Sequence, residues 1–431
     1  MSNGTRRDFL RSAASLAVAS ACGGLVPLPA RAAMRPGDKF DLLIKDGEVL
    51  DPSQSLRAKR DVGIRFGVVE ALEADIPVAR ANRVLNVPGK LVVPGLIDLH
   101  AHVFPYGSPI GIPADELVPH QGTTTVVSAG DAGAHNFPVF RRHIVAQTRT
   151  RMYAFVHVAN IGLSGFPVPE LSNIDRANVA QATRTLAENA DMALGVKVRM
   201  SDNVIGTYGL EPLKRTIQAC ADAGTGAKVM CHIGGVETAK LMSDILDALR
   251  PGDILTHCFT GAPNVGKQLT NIVQDGKLVP AALEAKRRGV IFDVGHGGGS
   301  FDYTVAEAAI QQGCTPDVIS SDIHVFSGNS PGMPFLPWVM SKFLNLGFTL
   351  EQVIAMATAV PGRVINRLPK LGTLQPGAPA DVTVLDVVDG PVEFVDTRNN
   401  KRVGKVHLKP AHTVVAGVAF GRPYQFPFTV R

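Results

Sequence analysis

The chain has 431 residues, 45% hydrophobic and 19% charged, with a formal charge of +5. That is the balance of a soluble globular protein with room for one large domain and an accessory, or for two. No basic run carries interleaved aromatics, which sets nucleic acid aside as a partner, and past the leader no stretch of about eighteen uninterrupted apolar residues reads as a spanning helix.

Residues 1–32 read as an export signal rather than as part of the fold. Thr5-Arg6-Arg7-Asp8-Phe9-Leu10-Arg11 carries a twin-arginine pair, a weakly apolar run follows from Ser12 to Pro29, and Ala30-Arg31-Ala32 is a small-x-small cleavage pattern. The expected partner is the twin-arginine export machinery, and the expected location is periplasmic or exported. A lipid anchor at Cys22 fits poorly, since Ala19 stands where leucine is usual. Cys220, Cys231, Cys258 and Cys314 match no zinc-ribbon or CxxC spacing. Folding before export favours buried thiols over disulfides.

From Phe40 the chain reads as short strands and turns, and the same character returns at 380–386 and 413–418. Segments 33–90 and 369–431 are therefore expected to form one β-sandwich from both chain ends, with 91–368 inserted as its own domain. In that middle part, apolar runs at 91–99, 123–128, 152–158, 193–198, 227–231, 253–256, 290–294 and 317–321 alternate with helix-period segments. Eight buried strands alternating with helices predict a parallel (β/α)8 TIM barrel, which carries its chemistry at the C-terminal strand ends. Two helices are expected after the eighth strand, at 335–346 and 350–368.

The first strand ends in His100 and His102, two apart and so on one face; paired neutral imidazoles suit a divalent transition metal. The fourth carries Lys197, costly in an apolar strand unless paired or modified; the fifth ends at His232, the sixth at His257 and the eighth at Asp322.

That order of residues resembles the two-metal subtype of the amidohydrolase superfamily. The words Pro94-Gly95-Leu96-Ile97-Asp98-Leu99-His100-Ala101-His102, Val196-Lys197-Val198-Arg199, Thr256-His257-Cys258-Phe259 and Gly295-His296-Gly297-Gly298 resemble its amidohydrolase/deacetylase, dihydroorotase-like group. The resemblance implies a more buried metal on His100, His102 and Asp322, and a more exposed one on His232 and His257. Lys197, carboxylated by carbon dioxide, would bridge the two. The ions would be divalent, with Zn2+ the expected one, sharing a hydroxide as nucleophile, and Asp322 would be the catalytic proton carrier. The implied reaction is hydrolysis of the amide or ester bond of a small acylated acid, with a cyclic amide hydrolase of dihydroorotase or hydantoinase type as the alternative. A scaffold without chemistry is disfavoured because all six positions are filled.

Three further residues are substrate-contact candidates. Arg199, two past Lys197, suits a carboxylate clamp or a salt bridge to a neighbouring loop. His296 sits in a glycine-rich strand end where backbone approaches a ligand closely. His324 follows Asp322 by two and is placed to donate to substrate or orient a ligand. The acyl and leaving groups and any homo-oligomer stay open.

Overall fold

The computed structural model describes residues 34–35, 37–236, 239–261 and 271–420; the expected export signal and Cys22 lie outside them. One structural unit begins at Phe40 and holds both a sandwich of strands and a barrel.

Strands β1 (Leu42–Lys45), β2 (Glu48–Asp51), β3 (Leu56–Lys59), β4 (Asp61–Arg65), β5 (Val68–Glu73), β6 (Val84–Asn86) and β7 (Leu91–Pro94) come first. The next are β8 (Leu96–Ala101), β9 (Thr123–Gly133), β10 (Arg151–His157), β11 (Ala193–Arg199), β12 (Lys228–His232) and β13 (Ile254–Thr256). They are followed by a small ribbon, β14 (Val273–Gln274) and β15 (Lys277–Leu278), then β16 (Ile291–Asp293), β17 (Val382–Val395), β18 (Lys401–Val415) and β19 (Val418–Ala419). The longer helices are α1 (Val179–Glu188), α2 (Glu211–Asp222), α3 (Ala239–Ala248), α4 (Pro280–Arg288), α5 (Tyr303–Gln311), α6 (Leu336–Asn345) and α7 (Leu350–Met356).

Both chain ends build the β-sandwich. One sheet runs β5-β4-β1-β6 and the other β19-β18-β17-β7-β2-β3. Leu42, Ile44, Val62 and Ile64 of the first pack with Val49, Val92, Val382, Val384 and Val414 of the second in one apolar cluster, the sheet-on-sheet solution for strands with one apolar face.

The middle forms the barrel. Strands β8 to β13 and β16 pair in parallel in the order β16-β13-β12-β11-β10-β9-β8. The eighth position is taken by residues 317–323, which make isolated parallel bridges rather than a regular strand: Val318 to Asp293 and Ile323 to Ala101. Val294 N donates to Val318 O (3.0 Å) and Gly297 N to Ser321 O (2.9 Å) on one side. On the other, Asp322 N donates to His100 O at 2.7 Å, which closes the ring. Asp322 has φ 50°, and that turn interrupts the ladder.

The structure corrects the reading of 91–99 as one strand. Residues Leu91–Pro94 pair with β17 and β2 in the sandwich, while Leu96–Ala101 pairs with β9 in the barrel. Gly95 is the break: a Cβ there would stand 2.2 Å from Thr124 Oγ1 and 2.9 Å from Asp381 Cβ, so only glycine lets the chain pass from one sheet to the other. Cys220, Cys231, Cys258 and Cys314 are free and buried, with Cys231 and Cys258 in the layer between strands and helices.

Asp51 joins the N-terminal strands to the segment that returns from the barrel. It is fully buried and accepts from Ser53 N and Oγ (2.9 and 2.7 Å), Thr373 Oγ1 (3.1 Å) and Leu374 N (2.7 Å). Asp51→Ala leaves those donors unpaired, and we expect a loss of roughly 3 kcal/mol, read as a lower unfolding midpoint in urea with the far-UV circular dichroism of the folded chain unchanged.

Candidate active site

His100 lies in β8 and His102 follows its last residue, with ring centroids 5.6 Å apart. Each ring is held from behind through Nδ1. His100 Nδ1 lies 2.8 Å from Thr256 Oγ1, and that hydroxyl donates to Asp293 Oδ2 at 2.7 Å, so the imidazole proton is on Nδ1 and the Nε2 lone pair faces inward. His102 Nδ1 lies 2.8 Å from Asp131 Oδ1, whose other oxygen accepts from Val103 N and Ser128 Oγ. Carboxylate or hydroxyl support at the rear nitrogen is the arrangement that orients metal-binding histidines.

Asp322 Oδ1 stands 3.3 Å from His100 Nε2 and 3.2 Å from His102 Nε2, buried and without a well-aligned hydrogen-bond donor. A buried carboxylate oxygen facing two imidazole nitrogens needs a cation there. Burial works to lower the His102 pKa, but Asp131 and Asp322 outweigh it and raise it to about 9. Burial likewise works to raise Asp322, and the His102 contact with the neighbouring imidazoles holds it at about 2. His100, buried beside Lys197, is driven well below the ordinary histidine value. Among the described residues, ligand atoms of His100, His102 and Asp322 lie within 4.8 Å of one another, a group able to hold a divalent ion.

Lys197 lies on β11 between Val196 and Val198, which pack outward against the helices, so its own side chain enters the barrel. Its Nζ is 3.3 Å from His100 Nε2, and burial lowers its pKa to about 8. Gly130 of β9, at φ 89°, makes room for it: a Cβ there would come within 2.6 Å of Lys197 Cβ and Cγ. His232 and His257 form a second pair, with Nδ1 of the first 2.8 Å from Nε2 of the second. His257 Nδ1 donates to Gly295 O at 2.6 Å, so its Nε2 presents a lone pair to His232. Burial pushes His257 down to about 4 and His232 well below the usual value. Sequence positions from five separate strand ends thus meet in one pocket.

A cavity of about 160 Å3 opens over these groups. Its polar side is His102, Lys197, His232, His257, Asp322 and His324; Ile110, Leu163 and Phe166 supply an apolar wall. Arg199 lines it too, with Nη1 donating to Glu170 Oε2 at 3.1 Å. His324 Nδ1 accepts from Phe326 N (3.2 Å) and Ser327 N (3.3 Å), which leaves its proton on Nε2. His296 is not brought to the cavity, a correction to its candidacy as a substrate contact. The ring is fully buried, stacked on Phe301 at 4.8 Å, with Nδ1 on Gly297 O (2.8 Å) and Nε2 on Lys342 Nζ (2.7 Å). Both nitrogens are spent inside the wall, and the cavity is lined instead by Gly298, Gly299 and Ser300.

Residues 91–419 match the Amidohydrolase family. The chain belongs to this family. As an amidohydrolase it is a hydrolase, and its barrel with a strand-rich sheet from the chain ends is the family architecture. A deacetylase of Agrobacterium fabrum is 34% identical over 362 residues, covering 84% of this chain and 86% of the relative. Among solved structures, a dihydroorotase is 32% identical with a TM-score of 0.80, covering 89% of this chain and 99% of its own. An adenine deaminase is 29% identical, also at 0.80, covering 89% of this chain and 100% of its own.

Asp131, Thr256, Asp293 and Glu170 escaped the reading of the sequence. Asp131 and Asp293 did leave a signal, a carboxylate in an otherwise apolar strand segment, the same anomaly that marked Lys197. A divalent ion on His102 Nε2 must displace the proton held there up to about pH 9. Zn2+ affinity of chelator-treated protein should therefore rise between about pH 7 and 9, with proton release seen calorimetrically in buffers of differing ionisation enthalpy. Asp131→Asn removes the carboxylate that raises His102 and should flatten that rise.

Proposed function

We propose that this amidohydrolase is a binuclear metal-dependent deacetylase that cleaves the amide or ester bond of a small acylated acid. One observation carries the reading: a lysine with lowered pKa, Lys197, is buried against His100 and lines one cavity with His102, Asp322, His232 and His257. Five other ligands carry one carboxylate among them, too little negative charge for two dications. A neutral amine adds carbon dioxide, losing a proton to become a carbamate, and Lys197 becomes the second anion. Its surroundings support that: burial disfavours the ammonium, and the hydrogen-bonding partner of Nζ is a histidine nitrogen rather than a carboxylate.

In this reading His100, His102 and Asp322 would hold one ion and His232 and His257 the other, with carboxylated Lys197 supplying charge to both. Two divalent ions, Zn2+ being the expected one, would polarise the acyl carbonyl and make water nucleophilic near neutral pH. Asp322 takes the proton from the attacking water and delivers it to the leaving group. Arg199 binds the substrate carboxylate through the N–H groups not spent on Glu170. His324 donates from Nε2, and Ile110, Leu163 and Phe166 cover the apolar part of the substrate and exclude water. The relative named deacetylase, at 34% identity, supports an acyl-amide or acyl-ester substrate. The leader at residues 1–32 supports export by the twin-arginine route to the periplasm.

The zinc-loaded protein should hydrolyse members of a panel of N-acetyl amino acids and O-acetyl 2-hydroxy acids. Turnover confined to cyclic imides would instead select the dihydroorotase-like alternative, which the 0.80 TM-score to a dihydroorotase keeps in view. No turnover of either set would sink the hydrolytic reading of substrate class.

Two variants probe the parts. Lys197→Ala and Lys197→Arg should each lose most bound metal and activity, since arginine stays protonated and forms no carbamate. Propionate should partly restore Lys197→Ala alone; full activity of that variant without added acid would falsify the bridging role. A carboxylate requirement should appear as a preference for the free acid over its methyl ester of about tenfold or more, lost in Arg199→Met. Equal turnover of acid and ester by the wild type would remove the clamp.

A further inference from the structure

The cavity wall at Gly298, Gly299 and Ser300 has no regular secondary structure of its own, yet it faces the metal-ligand candidates and Arg199. Its support comes from elsewhere in the chain. The long ribbon β17–β18 reaches from the sandwich and turns at 396–400 beside this loop. Phe301 N donates to Thr397 Oγ1 (3.2 Å), Thr397 Oγ1 donates to Phe301 O (2.7 Å), and Thr397 N donates to Phe301 O (3.0 Å). Arg398 Nη2 donates to Gly299 O (3.1 Å), and Asp396, itself buried, accepts from Tyr303 N (2.9 Å).

Behind the same loop lies Lys342 of α6, fully buried. Its Nζ donates to His296 Nε2 (2.7 Å), Gly332 O (2.9 Å) and Val395 O (2.7 Å), so one side chain joins the loop, the segment after the eighth barrel position and the ribbon. Three acceptors match the three protons of an ammonium, and the Phe301 ring lies 5.7 Å from the nitrogen. Burial lowers the Lys342 pKa to about 7, so such a group is expensive to keep. Nothing in the proposed chemistry uses it.

We infer that Lys342 and the 396–400 turn are positioning elements for substrate: together they set the Gly298–Ser300 wall against the cavity, acting through His296 and Phe301. This rests on the deacetylase reading only for the choice of substrate.

The test uses the full-length, zinc-loaded protein. Thr397→Val keeps the side-chain shape and removes the hydroxyl bonds; Lys342→Met removes the three-way contact; Arg398→Ala removes one exposed contact. Amide exchange in peptides spanning 295–303 should accelerate about two- to tenfold in Thr397→Val and Lys342→Met, the loss of one or two hydrogen bonds. KM for the best N-acetyl amino acid should rise by about the same factor, with kcat within about twofold and bound zinc unchanged. Lys342→Met carries the larger folding risk, so Thr397→Val and Arg398→Ala decide if it does not fold. Unchanged exchange in 295–303 in folded variants overturns the inference. So does faster exchange with unmoved KM, or with loss of zinc and kcat, since that is general loosening. If the wild type turns over no substrate, the deacetylase reading fails and exchange in 295–303 alone decides this one.

Discussion

Imidazole nitrogens are useful to a cation only when their rings are held still and their lone pairs point one way. In this barrel the holding is done from behind. Thr256, whose hydroxyl donates to Asp293, takes the rear proton of His100, Asp131 takes that of His102, and the Gly295 carbonyl takes that of His257. The anchors come from three strands, β9, β13 and β16 with its end, so the ring orientations depend on the closed barrel as a whole. Closure in turn passes through the site: the Asp322 amide hydrogen-bonds to the His100 carbonyl across the last gap. Packing, closure and chemistry therefore share residues.

The sandwich is tied to the barrel at both of its ends. Gly95 turns the chain from β7 into β8 within one residue, where Thr124 and Asp381 leave no space for a side chain. At the far end, the β17–β18 turn lies against Phe301 and Gly299. An accessory sheet built from the chain ends thus bears on a wall of the cavity, and its strand register has consequences at the site as well as for stability.

The strand-end residues were legible because a strand has a period of two and a barrel puts chemistry at one face. His100, His102, Lys197, His232, His257 and Asp322 needed only local spacing and chain order. What was illegible depends on partners far apart in sequence. The Thr256–Asp293 support of His100 joins three strands, and no window of sequence contains it. His296 misled because its glycine neighbours do line the cavity while its ring turns the other way, toward Lys342 on a helix some forty-six residues on. The run at 91–99 looks like one strand because both halves are buried and apolar; only the partners tell that they belong to different sheets.

Arg199 shows how two readings of one residue can be compatible. A salt bridge to a neighbouring loop is present: Glu170, nearly buried, accepts from Arg199 Nη1 and faces His157 Nε2 at 3.2 Å. His157 Nδ1 accepts from Ala159 N, so the proton that meets Glu170 is on Nε2. Burial acts to raise Glu170, but the neighbouring His157 imidazole and Arg199 guanidinium outweigh it and hold it at about 2, and it stays an anion throughout the physiological range. A guanidinium has five N–H groups, and one contact to Glu170 leaves others toward the cavity that Arg199 lines. The salt bridge lowers the cost of holding a cation in a largely buried place and limits how the side chain can turn. A carboxylate clamp needs both conditions, since a free arginine at the mouth would lose rotational freedom each time it met a substrate. The loop that supplies Glu170 also supplies Leu163 and Phe166, so the anchor of the charge and the apolar wall beside it are carried on one segment.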